Sequence, residues 1–487
     1  MKLTERTAGG AEPESGQALS SSRICVIGAG SSGLVAVKAL KDAGLAFDCY
    51  EARDRLGGLW AFDEHSTGGA YRSLHINTSR ARMQWADFPM PADYPDYPHH
   101  TQIQRYFDAY ADAFGLREHV TFGTRVTRVE DRGLAFQVTL GDGRSLDYGG
   151  VIVANGHHWD PSYPTPAFPG EFAGITLHSH HYLSPSEPFD LRGKRVVVVG
   201  FGNSACDIAC ELATSGAERV FLATRRGAWV LPKYVFGRPL DQLGATPGFL
   251  PRSLRQRWAS LLYRLVIGRP EAYGLPRPDH RLGGAHPTLS SELLPLLRKG
   301  AVTPKPNVAR LDGDRVEFAD GTIEEVSAIV YATGYKVTFP FFDPDYVSAP
   351  ENHLPLYHRV FHPDRERLAF IGLAQPLGAI MPIAEAQAKL VADYFAGRYA
   401  LPERAELLSR IAADEAALRE RFVASRRHTM QVDFDEYMAT IAREHAAGRT
   451  RAAAPKRLQA DSAAVESRSS RAMPGLSSNS TKRFASR

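Results

Sequence analysis

Three features of the sequence predict an α/β fold built from two separate parallel-sheet units. Apolar β-like runs alternate with helical stretches over most of the chain. Two of those runs end in a glycine-rich turn that opens a helix, GAGSSG (28–33) and GFGNSA (200–205). Two later apolar runs, in AIVYATGY (328–335) and LAFIGLAQPLG (368–378), end in small residues, as strands entering a crevice do. No short-period repeat accompanies the pattern.

With 487 residues the chain is long enough for two or three domains and a large core. Its 44% hydrophobic and 23% charged residues are those of an ordinary soluble globular protein. The net charge of +4 is unevenly placed. From Arg451 onward eight basic residues face only Asp461 and Glu466, so the tail carries +6 and the remainder about −2. The body therefore lacks the basic excess that nucleic-acid binding needs. Four cysteines make no disulfide framework. Cys25 and Cys49 sit in strand-like runs, and Cys206 and Cys210 share a helix face without redox CxxC spacing. No apolar run is long enough to span a membrane, and MKLTERTAGGAEPESG has no signal-peptide core. A reduced, cytoplasmic protein is expected.

Residues 1–21 and 449–487 read as disordered tails, the second of them basic, because neither has the apolar surface to offset ordering entropy. RICVIGAG forms the first strand and turn, SSGLVAVKALKDAGL the helix, and FDCYEA the second strand. In that first turn Gly28 permits the sharp bend, Gly30 lets the backbone approach a pyrophosphate, and Gly33 lets helix and strand pack closely. The helix N-terminus offers unpaired N–H groups to phosphates. Glu51, about twenty residues on, is placed to accept from ribose hydroxyls. The second unit, RVVVVGFGNSACDIACELATSG followed by RVFLATR, carries Gly200, Gly202 and Ala205. At the end of its second strand Arg225 and Arg226 stand where the first unit has Glu51. Guanidinium groups pair with a 2′-phosphate, whereas a carboxylate repels it. The second turn therefore suits NADP(H) and the first an unphosphorylated ribose.

Two Rossmann-like dinucleotide-binding domains follow, and electron traffic between two dinucleotides makes FAD the economical choice for the first. The FAD-binding domain is expected to be discontinuous, 22–165 and 328–448, with the NADP-binding domain inserted at 172–327. Residues 235–284 read as an insertion packed on a domain surface, with a lid over a substrate channel or a membrane-touching patch as alternatives. Its segment RSLRQRWASLLYRLVIG is expected to form an amphipathic helix. A disulfide reductase would need a cysteine pair beside the flavin, and none is present. Oxygen is then the expected electron acceptor.

Between the two turns lies FAGITLHSHHY, with Phe172, Gly174, His178 and Tyr182 at the spacing FxGxxxHxxx[Y/F]. This resembles the fingerprint of the flavin-containing monooxygenases and related N-hydroxylating enzymes. Baeyer–Villiger enzymes have Trp followed by Pro or Asp where this chain has Tyr182 and Leu183. YEARDRLGGLW, with Gly57, Gly58, Leu59 and Trp60, and SLHINTSRARMQWADFPMP, with Asn77, resemble further family segments. So do YATGY and LAFIGLAQPLGAIMPIAEAQA, the latter with Gln375. The resemblance covers roughly residues 22–445.

It implies Gly58, Leu59, Trp60 and Gln375 as FAD contacts and Asn77 as the catalytic residue. It also implies a cycle in which NADPH reduces FAD, O₂ adds to give a C4a-hydroperoxyflavin, and bound NADP⁺ protects that species. A small amine or sulfide is then N- or S-oxidised. Alternatives on the same architecture are Baeyer–Villiger oxygenation of ketones, N-hydroxylation, and uncoupled NADPH oxidase activity. His178 reads as a hydrogen-bonded joint residue rather than an oxygen contact, and Trp60 and Tyr335 as packing residues. His180 and His181 have no accompanying ligand cluster, so no metal site is expected. The expected partners are a small-molecule substrate and O₂, with self-association into a homo-oligomer left open.

Overall fold

The computed structural model describes residues 23–65, 68–243, 257, 261, 263, 267–285, 287–421 and 429–454. The two tails and most of the expected amphipathic helix lie outside the described residues. The principal elements are β1 (Ile24–Ile27), α1 (Ser31–Asp42), β2 (Phe47–Tyr50), β3 (Val120–Thr121), β4 (Gly150–Val153), β5 (Ile175–His178) and β6 (Arg195–Val199). They continue with α2 (Asn203–Thr214), β7 (Arg219–Ala223), β8 (Val302–Lys305), β9 (Ala328–Tyr331), β10 (Leu368–Phe370), α3 (Met381–Phe395) and α4 (Phe434–Ala453).

The strands form two five-stranded parallel sheets, ordered β10–β4–β1–β2–β3 and β5–β9–β6–β7–β8. Central strands such as ICVI and AIVY are buried at every position, because each sheet is covered on both faces. On the first sheet, α1 and α3 bury one face with Leu34, Val37, Ile383 and Val391. An antiparallel three-stranded sheet, Val126–Asp131, Phe136–Leu140 and Ser145–Tyr148, covers the other with Phe136 and Val138. The second sheet repeats the plan. Helix α2 covers one face, and a four-stranded sheet that includes Gly170–Phe172 and Val308–Gly313 covers the other. Both glycine-rich turns leave the C-terminal ends of parallel strands, where open α/β sheets form their binding crevices.

Two boundaries differ from the sequence reading. The sequence reading puts AIVY in the first unit, with the division at 327/328. Instead β9 is a central strand of the second sheet, pairing Ala328–Tyr331 with Ile175–His178 on one side and Val196–Val199 on the other. The chain returns to the first sheet only at β10. The basic tail, drawn from 449, also starts too early: α4 continues to Ala453. Arg449 pairs with buried Asp393 at 2.7 Å, and Arg451 pairs with buried Glu444. These ion pairs order an Ala/Arg-rich stretch whose composition alone resembles the residues beyond it.

All four cysteines are buried and none forms a disulfide; Cys25 and Cys49 enter opposite cores of the first sheet. Among the described residues no helix is long and apolar enough to cross a membrane.

Candidate active site

At the first turn, two glycines are demanded by the chain's own packing. Gly28 has φ +100°, and a Cβ there would stand 2.7 Å from the Ala154 carbonyl oxygen. A Cβ on Gly33 would overlap the Gly28 carbonyl oxygen. Gly33→Ala is therefore expected to destabilise the protein by about 2–3 kcal/mol through overpacking. The check is a lower melting temperature together with a lower flavin content after purification.

Gly30 differs. It caps α1 in extended conformation, and a Cβ would meet Gly58 at ordinary distances, 3.5 Å from Cα and 3.8 Å from N. No side chain caps the helix and no acidic residue lies in its first turn. The turn thus leaves N–H groups and open space for an anionic group approached by backbone. Glu51 is buried, with Oε2 accepting from Ala29 N–H at 2.7 Å and Oε1 from Arg53 N–H at 2.9 Å. It braces the turn it was expected to serve. Arg53 donates in turn to the carbonyls of Gly58 and Ala61, holding the 3₁₀ turn Gly58–Trp60 against the crevice. Leu59 and Trp60 are half-buried there, Trp60 against the first core.

The second turn repeats the geometry. Gly200 has φ +129°, and a Cβ would overlap the Ala332 carbonyl oxygen, as one on Gly28 crowds Ala154. Gly202 caps α2 without a side-chain cap, and Ala205 is fully buried. Arg225 and Arg226 are exposed just beyond β7, with Arg226 Nε 3.8 Å from Asp279 Oδ2.

From the first turn a strip of backbone leads to Asn77. It starts at Gly372, where a Cβ would overlap the Ser32 side chain of α1. Gln375, half-buried, follows in register with Gln431, and Gly378 ends the strip by accepting from Thr78 Oγ1 at 3.2 Å. Beside Thr78, Asn77 Oδ1 is buried with no hydrogen-bond partner among the described residues. An orphaned buried carbonyl is costly unless something else fills the bond. Contacts of Gly372 with Ser32 and of Gly378 with Thr78 thus tie the strip to both the first turn and the Asn77 segment. Gly372, Gly378 and Thr78 were not singled out individually in the sequence; their signal was the resemblance of LAFIGLAQPLG and SLHINTSR to family segments.

The fingerprint residues build the joint. A Cβ on Gly174 would stand 2.5 Å from the Ser327 carbonyl oxygen and 2.6 Å from the Phe172 ring, so only glycine fits beneath that ring. His178 ends β5 fully buried, with Nδ1 accepting from His180 N–H at 3.1 Å and its ring edge-on to Tyr163 and Tyr335. Burial, reinforced by His180 and His181, pushes its pKa down to about 4, so it is neutral at physiological pH. Tyr182, also buried, donates to Glu211 Oε2 at 2.8 Å. A Cβ on Gly69 would stand 3.0 Å from His180 Nδ1 and 3.2 Å from Leu59 Cδ1, which places the joint against the first unit's segment.

The two units also meet through Tyr71, whose hydroxyl donates to Asp207 Oδ2 at 2.6 Å. Burial pushes the Asp207 carboxyl up to about 6, opposed by Tyr71 and Lys233. Because its folded pKa exceeds the unfolded 3.8, ionised Asp207 penalises the fold. The penalty is absent near pH 4, grows between 4 and 6, and is complete above. Asp207→Asn is expected to stabilise by up to about 3 kcal/mol above pH 6 and little near pH 4. Melting temperatures at the two pH values check this.

The insertion is clasped at its base by parallel pairing of Val230–Leu231 with Thr288–Leu289. The chain just before the insertion and at its start contacts the first unit. Asp241 Oδ2 accepts from Ser79 N–H at 2.7 Å, and Tyr97 OH donates to the Lys233 carbonyl beside Tyr234. Of the insertion, residues 244–256 and most of 258–266 lie outside the described residues.

The pattern of the flavin-binding monooxygenase-like family matches residues 21–450. The chain is 38% identical over 452 residues to flavin-containing monooxygenase 5 of Oryctolagus cuniculus, covering 86% of this chain and 82% of that protein. It is 35% identical over 445 residues to dimethylaniline monooxygenase [N-oxide-forming] 2 of Rattus norvegicus, covering 87% and 82%. Among solved structures, oxidised steroid monooxygenase bound to NADP superposes with TM-score 0.67 at 19% identity, covering 88% of this chain and 98% of that one. S-allyl-L-cysteine S-oxygenase from Allium sativum gives 0.64 at 24%, covering 87% and 88%. Two glycine-rich turns on twin parallel sheets, the FxGxxxHxxxY joint between them and these matches agree: the chain belongs to the flavin-binding monooxygenase-like family and is an FAD-containing, NADPH-dependent monooxygenase.

Proposed function

We propose that the protein uses NADPH and O₂ to oxygenate small soft nucleophiles, forming N-oxides of amines or S-oxides of sulfides. One oxygen atom enters the product and the other leaves as water. The observation that carries this reading is the buried, unpartnered Asn77 Oδ1 at the far end of the strip that starts at the first glycine-rich turn. The 35% identical N-oxide-forming relative supports amines as one substrate class.

Gly28, Gly30 and Gly33 let FAD phosphates approach the α1 N-terminus, with Glu51 on the ribose. Gly58, Leu59, Trp60 and Gln375 line its path. Gly200, Gly202 and Ala205 do the same for NADP(H), whose 2′-phosphate Arg225 and Arg226 receive. When bound, the flavin supplies the redox chemistry, taking a hydride from NADPH and delivering oxygen from O₂. The protein's part is placement. The Asn77 amide accepts through Oδ1 and donates through Nδ2 without ever being acidic. It can hold a proton-bearing partner in position without releasing a proton to it. His178, neutral and buried in the joint, holds domain geometry rather than charge.

The test is a screen of tertiary amines, sulfides and ketones for oxygen consumption, with peroxide measured in parallel. Amine- or sulfide-stimulated uptake without peroxide is the expected result. Ester or lactone formation from ketones alone would transfer the activity to Baeyer–Villiger oxygenation, and peroxide under every condition would leave an NADPH oxidase.

A further inference from the structure

We propose that the Tyr71–Asp207 hydrogen bond is a strut that transmits occupancy of the second glycine-rich turn to the Asn77 segment. Tyr71 is therefore a positioning residue for the reaction. The inference rests on the reading of that turn as the NADP site and of Asn77 as catalytic.

The covalent connections place the strut. Tyr71 precedes Asn77 by six residues in the first unit's chain, yet its ring is buried in the core of the second unit. There it lies edge-on to Tyr182, with centroids 6.2 Å apart. Asp207 sits five residues beyond Gly202, the cap of α2. The N-terminus that would meet a pyrophosphate and the carboxylate that holds Tyr71 are therefore parts of one helix. The neighbouring main chain is tied to the same unit: Arg72 N–H donates to the Leu183 carbonyl at 2.8 Å. The Arg72 guanidinium clasps both oxygens of Glu187, at 2.6 and 3.1 Å. At the other end Thr78 is bonded to Gly378 and Ser79 to Asp241, so displacement of Tyr71 reaches Asn77 through a short segment fixed on both sides.

Stability does not account for the pair. A desolvated carboxylate penalises the fold, and a buried polar pair is often no more stabilising than apolar packing of the same volume. A bond from a phenol to a charged acceptor is directional, however, and it fixes α2 against the 71–79 segment. Lys233 from the bend between Leu231 and Tyr234, Glu292 ahead of the helix Leu293–Arg298, Cys210 and Glu211 on α2 itself, and Tyr71 are the charged and titratable groups facing Asp207. The strut should therefore respond to pH as Asp207 loses its charge. Tyr182–Glu211 supplies a control, because it too is a tyrosine–carboxylate bond from a buried ring to the same helix, made within one unit.

Hydrogen–deuterium exchange of the FAD-loaded full chain, with and without NADP⁺, tests the strut without measuring turnover. In the wild type, NADP⁺ should slow exchange in 200–206 and in 71–79. In Tyr71→Phe the slowing at 200–206 should remain while that at 71–79 falls by about tenfold, the worth of one hydrogen bond to a charged acceptor. Tyr182→Phe should keep both. Lowering the pH through about 6 should weaken protection of 71–79 in the wild type but not in Asp207→Asn. Wild-type protection of 71–79 in Tyr71→Phe, or its equal loss in Tyr182→Phe, overturns the strut while leaving the NADP site intact. Absence of NADP⁺ protection at 200–206 in the wild type rejects the NADP reading and the strut with it.

Discussion

Asn77→Ala is expected to lower product formation by about a hundredfold, the usual effect of removing one preorganised polar contact at a reacting centre. NADPH should still be consumed, with its electrons appearing as hydrogen peroxide. The Asn77 Oδ1 is buried with no partner among the described residues, and its segment is fixed by Ile76 N–H on the Pro98 carbonyl before it and by Thr78 and Ser79 after it. Removing the amide leaves those neighbours intact, so folding, flavin content and the rate of flavin reduction by NADPH should change little. Asn77→Asp keeps the shape but replaces the donor with an anion, and should leak at least as much peroxide. The ratio of product to NADPH consumed, measured beside peroxide, decides the matter. A ratio equal to that of the wild type would remove Asn77 from the reaction.

The parts of this site that were legible in the sequence are those built from local geometry. A strand, a sharp turn and a helix must be contiguous, so the positive φ of Gly28 and Gly200 and the contact of Gly33 with Gly28 arise within a few residues of chain, whereas the crowding by Ala154 and Ala332 is tertiary. Gly174 was legible only as part of a spacing; its physical cause, the Phe172 ring folded over it, is a tertiary contact. The strand AIVY was recognised as a strand but assigned to the wrong sheet. A fully apolar run states that both its faces are covered, not which neighbours flank it. Arg449 and Arg451 were read as tail because their helix is fixed by Asp393 and Glu444, the former on α3 and the latter seven residues before Arg451. Tyr71 and Asp207 left no sequence signal at all, since their meeting depends on how two units dock across 136 residues of chain.

Replacing Arg225 and Arg226 together by Ala should raise the KM for NADPH by about ten- to a hundredfold while changing that for NADH by less than about twofold. Each guanidinium–phosphate contact is charge-assisted and worth about 1.5–3 kcal/mol when well formed. Both side chains are exposed, which screens them and places the effect at the lower end of that range. The two should not contribute equally. Arg226 lies 3.8 Å from Asp279, which offsets part of its field at a phosphate, so Arg225→Ala alone should be the more damaging single change. Raising the ionic strength should shrink the NADPH preference of the wild type, and have almost no influence on the double variant, because the electrostatic term it screens is gone. Steady-state kinetics with both nucleotides at two salt concentrations measures all of this. Parallel losses with NADPH and NADH would mean that the pair supports the fold of the second unit rather than reading the 2′-phosphate.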